Sequence, residues 1–476
     1  MKIVFSLFIS LLVLACKKEP EPLTITFTGD IILDRGVADE LNIYGDSIIE
    51  RSLKPLLRSD FNVINLETVL TNETHSAKNG LTFCYDPSIA KNLYSGNVTH
   101  ASVANNHSND YGSLGLTSTL SALDKHSIAA LGSSCEPTLI SKGSQSVAIM
   151  AASFTTNNAH LCISNENELL VMVKEFEAQY PDIPLILYLH WGLEYQQVPE
   201  KWQSQLAHDF IDSGADVIIG HHPHVFQSIE YYSEKPIVYS LGNFVTDAYL
   251  PNTTQGVIAK LTFTDQALEL SIAPVDISSY LPAKMSDERA LKFLLDNLKY
   301  SKEMCLYKSN NQWLMKDIAD VDFSEKASAW LFHYENEHQV IIKPMTSGGH
   351  KLTLFKNGAA LKSLALNGKL SEISIGDINN DNEPEILLGI AKKVNFDPRE
   401  RKRLNIFKVE NDGIQVVWLG THLLHDLQSF KISRNKNVNY LYTIERDSLN
   451  NTKKGIYEWD EFGFALKTIE PIYANN

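Results

Sequence analysis

The chain of 476 residues has no long apolar run beyond its first sixteen, so a bundle of membrane-spanning helices is not suggested. Positive charge is scarce. Forty-two Lys and Arg stand against 57 Asp and Glu, a net of -15 that repels polyanions and argues against a nucleic-acid partner. The one strong basic run, RERKR at 399–403, reads as a solvated loop. Cysteine is rare too, five in all and none at zinc-finger spacing. What remains, 44% hydrophobic and 21% charged residues, is the composition of a globular protein with a substantial core.

The first sixteen residues, MKIVFSLFISLLVLAC, carry one lysine, an apolar stretch too short to span as a mature helix, and a small residue before cysteine. They read as a signal peptide, 1–16. Val13, Leu14, Ala15 and Cys16 resemble the bacterial lipobox, which implies cleavage before Cys16 and a diacylglycerol on its thiol. KKEPEP follows as a charged, proline-stiffened tether over 17–23, suited to a body held off a membrane by acyl chains. The expectation is an exported lipoprotein of the bacterial cell envelope. There, Cys84, Cys135, Cys162 and Cys305 can pair in three ways or stay as thiols.

From 24 to about 275, apolar runs alternate with amphipathic stretches: LTITFTG, FNVINLE, HASVANN, QSVAIMAAS, IPLILYLH, DVIIG and KPIVYSLGNF. Their near-continuous hydrophobicity predicts strands covered on both faces, in a layered α/β domain. Helices are predicted over Ser113 to His126, over Glu200 to Ser213 with Trp202, Leu206 and Phe210 on one face, and over 286–304. Beyond about 326, KLTLFKNG, RLNIFKVENDG and GIYEWDEFG place Phe355, Phe407 and Trp459 at a period of 52 residues. Such a period suits β blades or a stacked β structure.

In open α/β sheets ligands bind past the carboxyl ends of strands. Asp30, Glu67, Asn105, Asn106, His107, His190, His221, His222 and His224 all stand there, as do Ser240 to Asn243. Singly, each has an ordinary reading as a cap, a turn or a satisfied core histidine. Together they are costly to bury unless a cation neutralises them, and mixed imidazole, carboxylate and amide donors suit zinc, manganese or iron. In HHPH, Pro223 biases His222 towards an extended backbone that aims the imidazoles in set directions.

GDIILDRG, NLETVLT, ANNHSNDYG, HWGLEY, GHHPHVFQ and SLGNF, in this order, resemble the CapA family of capsule and poly-γ-glutamate biosynthesis proteins, over roughly 24–305. The family is similar to the calcineurin-like metallophosphoesterases, which implies their layered fold and a site for one or two metal ions. By that resemblance Asp30, Glu67, Asn106, His190, His222 and His224 hold metal, His221 is a further ligand, and His107 is the acid. Arg35, Trp191 and Glu194 line the entrance, with Arg35 able to grip an anion bidentately. Ile32 departs from the pattern, standing where phosphoesterases usually have a histidine. The activity implied is metal-dependent hydrolysis of a phosphoester or an acidic polymer; the alternative is a non-catalytic polyanion-binding component of a capsule-synthesis complex. A metal-free hydrolase using Asp30 and Glu67 is a third reading.

The C-terminal region has IGDINNDNEPEILLGI, in which Asp377, Asn379, Asp381, Glu383 and Glu385 alternate with calcium-loop spacing. It resembles the calcium loops of FG-GAP propeller blades, with Asn382 in the usual glycine position. A solvated acidic turn is the plainer reading. The expected organisation is a metallophosphoesterase-like domain over 24–305, a linker over 306–325 and a β-rich, partial propeller-like domain over 326–476.

Overall fold

The computed structural model describes residues 21–77, 80–155, 163, 165–264, 267–298, 304–309, 312–317, 321, 327–334, 338–394, 397–419, 423–435, 438–460 and 463–472. The signal peptide and Cys16 lie outside this set, as do 17–20 of the tether, Cys162, and residues 310–311, 318–320 and 322–326. Among the described residues no helix is long and apolar enough to cross a membrane.

All seven predicted strand segments form strands. Leu23–Ile31, Phe61–Leu66, His100–Ser102 and Ala129–Leu131 run parallel in one sheet. Gln145–Ser153, Leu185–His190, Val217–His221 and Lys235–Val238 run parallel in a second. The continuous hydrophobicity of these runs has a direct cause, because successive side chains point to opposite layers and both layers are covered. Ile186 and Tyr188 enter a core shared with Leu23, Ile25 and Phe27 of the first sheet, while Leu185, Leu187 and Leu189 pack under helices. The two sheets therefore lie face to face. Helices Gly36–Tyr44, Ser47–Leu53, Ile89–Ser95 and Gly112–Lys125 cover the outside of one, and Glu166–Gln179 and Lys201–Asp212 cover the other.

Three local expectations are revised. Trp202 is 40% exposed, so Leu206 and Phe210 anchor their helix together with Ala207 and Ile211 instead. The helix predicted over 286–304 is shorter, Asp287–Asn297, and 304 already belongs to a strand. Arg399 to Arg403 lie in the strand Asp397–Glu410 rather than a loop, where Arg399, Arg401 and Arg403 pair with Asp397, and Lys402 with Glu372.

Where a linker is expected over 306–325, Met304–Ser309 and Gln312–Asp317 are strands that extend the first sheet through Leu268–Ser278 on one side and Ala329–His333 on the other. The sheet thereby runs on to Ala359–Leu366 and reaches 14 strands. Four-stranded antiparallel meanders then follow one another: Ala329–His333 to Ala359–Leu366 at the end of that sheet, Lys369–Gly376 to Gly413–Leu419, and Asp426–Asn435 to Gly463–Pro471. Phe355, Phe407 and Trp459 each sit on the third strand of their meander. The 52-residue period is thus one structural unit. Turns after the first two of these strands use left-handed pairs, Asn357 with Gly358 and Asn411 with Asp412, as a tight hairpin of this hand requires. One core joins the first and second meanders and another joins the second and third.

His100 is buried on the first sheet, and burial holds its imidazole pKa down at about 4. The unfolded chain, titrating near 6.5, binds that proton more readily, so the stabilisation is fully present above 6.5 and is lost as pH falls towards 4. Its full size is about 3 kcal/mol. Urea unfolding of His100→Gln at neutral and mildly acidic pH is expected to show a smaller acid loss than wild type; parallel pH curves would refute the assignment.

Candidate metal centre

The polar residues at the strand ends converge. Two glycines make this possible. A Cβ on Gly29 would lie 1.8 Å from the carbonyl oxygen of Gly242, and one on Gly220 would lie 2.0 Å from that of Tyr239. Only bare backbone lets these segments approach and seat Asp30 and His221 beside each other.

Asp30, Glu67, His190 and His221 are fully buried. Asn65, which the sequence reading passed over inside its apolar strand, donates from Nδ2 to Asp30 Oδ1 at 2.8 Å and to Glu67 Oε1 at 3.0 Å. His224 Nδ1 lies 3.1 Å from Asp30 Oδ2, and its Nε2 lies 3.8 Å from Glu67 Oε2. His190 Nε2 donates to Asn106 Oδ1 at 2.7 Å, while its Nδ1 accepts from His221 Nδ1 at 2.6 Å, a tautomer assignment set by the amide oxygen. Donor atoms of Asp30, His190 and His221 lie within 4.8 Å of one another, as do those of Asp30, Glu67 and His224, and those of Glu194, His222 and His224.

The turn carrying HHPH differs from expectation. His222 has φ 98° and His224 φ 57°, both left-handed, although a residue before proline ordinarily stays extended. Surrounding bonds hold the strain. The His222 N–H donates to Asp30 Oδ2, Tyr195 N–H donates to the Pro223 carbonyl at 2.8 Å, and Asn243 binds both the carbonyl and Nδ1 of His224. Such conformations cost on the order of 1–3 kcal/mol each and persist where a site over-determines them.

Electrostatics show what the cluster wants. Burial pushes the Glu67 carboxyl well above the usual carboxylate range, and neighbouring Asp30 adds to it. At Asp30 burial acts upward too, but the hydrogen bond and charge of His224 outweigh it and hold that carboxyl well below the range. For His224, burial opposes protonation, yet Glu67 and Asp30 lift its pKa to about 10. Burial lowers His190 strongly, His221 to about 4 and His222 to about 3. Neutral imidazoles are the form that ligates metal. Glu67 Oε2, His221 Nε2 and His222 Nδ1 are buried without a hydrogen-bond partner, which is the fit expected of a cation site.

Two predicted residues stand at the edge, whereas Trp191 does not line it: that ring is fully buried in the core, with Nε1 donating to the Tyr239 carbonyl at 3.0 Å. His107 Nδ1 pairs with the buried Asp110 at 2.8 Å, and its ring packs 4.3 Å from Phe83. Arg35 does not present a free fork: its Nη2 is 2.5 Å from Asp247 Oδ1, because Asp247 also accepts the Gly36 N–H and is fixed in place. Asp110 and Asp247 were missed by the sequence reading, although Asp110 lies in the quoted ANNHSNDYG block.

In the C-terminal loop, Lys408 Nζ pairs with Asp381 at 2.5 Å and Glu383 at 2.8 Å, Asp377 accepts the N–H groups of Asp381 and Asn382, and the Asn379 amide donates to Asp381. Asn382 takes the left-handed conformation that glycine would. The acids are paired internally; Glu385 Oε1 is the buried oxygen left without a partner. Cys135 is disulfide-bonded, whereas Cys84 and Cys305 are free thiols.

Residues 24–248 match the family described as bacterial capsule synthesis protein PGA_cap. The PGA biosynthesis protein CapA of Bacillus subtilis is 28% identical over 326 residues, 64% of this chain and 84% of its own length. The capsule biosynthesis protein CapA of Bacillus anthracis is 28% identical over 288 residues, 56% of this chain and 70% of its own. Residues 24–248 form a domain of the CapA family. A probable polyglutamine synthesis accessory protein of Mycobacterium tuberculosis is 25% identical over 213 residues, 40% of this CapA-family chain and 56% of its own length. Among solved structures, TT1561 of Thermus thermophilus overlaps 51% of this chain and 99% of its own at 9% identity and a TM-score of 0.32, too slight a likeness to carry argument.

The CapA cluster predicts metal retention that depends on its imidazoles. Purified wild type should hold manganese, zinc or iron in stoichiometric amount by elemental analysis, and the His222→Ala, His224→Ala double variant should lose it while keeping its circular dichroism. Equal metal content in both would remove the site.

Proposed function

We propose that this CapA-family chain is a metal-dependent hydrolase of bacterial envelope-polymer biosynthesis, exported and lipid-anchored through Cys16, acting on a phosphoester or an acidic polymer. The observation that carries the reading is the gathering, within 4.8 Å, of ligand atoms from Asp30, His190 and His221, from Asp30, Glu67 and His224, and from Glu194, His222 and His224, while Glu67 Oε2, His221 Nε2 and His222 Nδ1 are buried without hydrogen-bond partners. Those residues, with Asn106 and the exposed Glu194, would hold one or two divalent transition-metal ions. When bound, such an ion supplies Lewis-acid chemistry, activating water near neutral pH and offsetting charge on an anion.

The chain's own groups supply the rest. Asn65 fixes Asp30 and Glu67 relative to each other. His107, oriented through Nδ1 by Asp110, exchanges a proton with the leaving group from its other nitrogen. Phe83, packed against that imidazole, keeps water off one side of it. A disulfide at Cys135 favours an oxidising compartment, in keeping with export. The stacked meanders would serve as a binding or presentation module of partial propeller type, and calcium would have to displace Lys408 to enter its loop.

The second reading, an accessory that grips a polyanion without turning it over, draws on the printed name of the mycobacterial relative. Against it stands the charge of Arg35, already compensated by Asp247. The metal-free reading fares worse, since Asp30 and Glu67 share one amide and a histidine set that it leaves unused.

Metal-loaded protein should hydrolyse an aryl phosphodiester or a γ-glutamyl polymer, and chelation should abolish this. Asp110→Asn should lower kcat by about two to four orders of magnitude at unchanged metal content. Binding without turnover by the loaded wild type would select the accessory role, and chelator-resistant turnover the metal-free one.

A further inference from the structure

Arg35 and His107 come from different segments, yet both lean on one ring. The Arg35 guanidinium lies 5.0 Å from the centroid of Phe83, and the His107 imidazole lies 4.3 Å from it. Phe83 is itself pinned, 2% exposed, with its N–H donated at 2.8 Å to Asp110, the carboxylate that also holds His107 Nδ1. Asp247 restrains the guanidinium from another direction, through Nη2 and through the N–H of Gly36. Arg35 takes the left-handed φ of 55°, a conformation that only surrounding contacts maintain. Asn106, the chain neighbour of His107, accepts from His190 Nε2 at 2.7 Å, which places this ring assembly beside the cluster.

We infer that Phe83 is a positioning residue that sets Arg35 and His107 at a fixed separation, so that one anionic group of the substrate meets the guanidinium while its leaving group meets the imidazole. The ring attracts the cation through its face, and that attraction is lost with an aliphatic side chain of similar volume. Because Asp247 already pairs with the guanidinium through Nη2, Arg35 contributes orientation through its remaining N–H groups more than bulk electrostatic pull. The substrate class that follows has an anionic oxygen cluster next to the scissile bond, as a phosphodiester does. This rests on the hydrolase reading, and the test separates the two.

The experiment uses the full metal-loaded chain with an aryl phosphodiester, and inorganic phosphate as a competing anion. Phe83→Leu should keep its metal content and thermal midpoint, raise KM about 3- to 30-fold and weaken phosphate inhibition in proportion, with a smaller effect on kcat. Phe83→Tyr should recover most of the loss. In the Arg35→Ala background Phe83→Leu should add little to KM, because the partner it positions is gone. Unchanged KM in Phe83→Leu, or full additivity with Arg35→Ala, would overturn the inference. If the wild type turns over nothing, phosphate binding to the loaded protein by calorimetry replaces KM. Loss of affinity in Phe83→Leu then upholds the positioning role while the hydrolase reading falls, and equal affinity overturns the positioning role as well.

Discussion

Two carboxylates and four imidazoles meet at one place under nearly complete burial, and the architecture around them answers to that cost. Isolated ionised groups in such surroundings are penalised by many kcal/mol unless partners or a cation compensate. Here protons are redistributed until Asp30 and His224 carry the charges while Glu67, His190, His221 and His222 are held neutral. That arrangement leaves Glu67 Oε2, His221 Nε2 and His222 Nδ1 buried without hydrogen-bond partners. The rigid parallel strands beneath are what stop the groups from relaxing apart, and the side-chainless contacts at Gly29 and Gly220 are what bring the strand ends within reach.

Much of this was legible in the chain because two periodicities reinforce each other. A strand covered on both faces announces itself as an uninterrupted apolar run, and its carboxyl end is where polarity returns; Asp30, Glu67, His190 and His221 were visible for that reason alone. Asn65 was not. It sits inside FNVINL at a position that strand reasoning assigns to packing, and its role exists only because Asp30 and Glu67 flank it in space. Asp247 was equally hidden, since its partner Arg35 is more than two hundred residues away. The HHPH turn shows the opposite failure, in which a sound local rule for residues before proline yields to three tertiary hydrogen bonds.

The C-terminal half illustrates how a repeat can be read correctly while its boundary is not. Phe355, Phe407 and Trp459 mark equivalent strands, so the period reports a true unit. Strand pairing, however, is settled by backbone hydrogen bonds that leave no trace in composition, and the segment expected as a linker pairs on both sides. The result is a 14-stranded sheet that carries the first meander as its own continuation. Displacing that meander from the α/β body would break a ladder of buried hydrogen bonds rather than bend a tether, which couples the two halves mechanically.

Charge placement bears on which functional reading the fold accommodates. A protein that merely grips a polyanion gains from uncompensated cations spread along its track, because each contributes to affinity over a Debye length. This chain is strongly acidic overall and neutralises its best-placed arginine with Asp247. What it retains at the mouth is geometry: a guanidinium and an imidazole packed on one ring, beside a cluster of neutral imidazoles. Orientation of that kind fixes how an anion is seated, which a bond-breaking step needs because the reacting groups must be held in register. Strain and burial placed in this way are what the proposed hydrolase asks of its mouth.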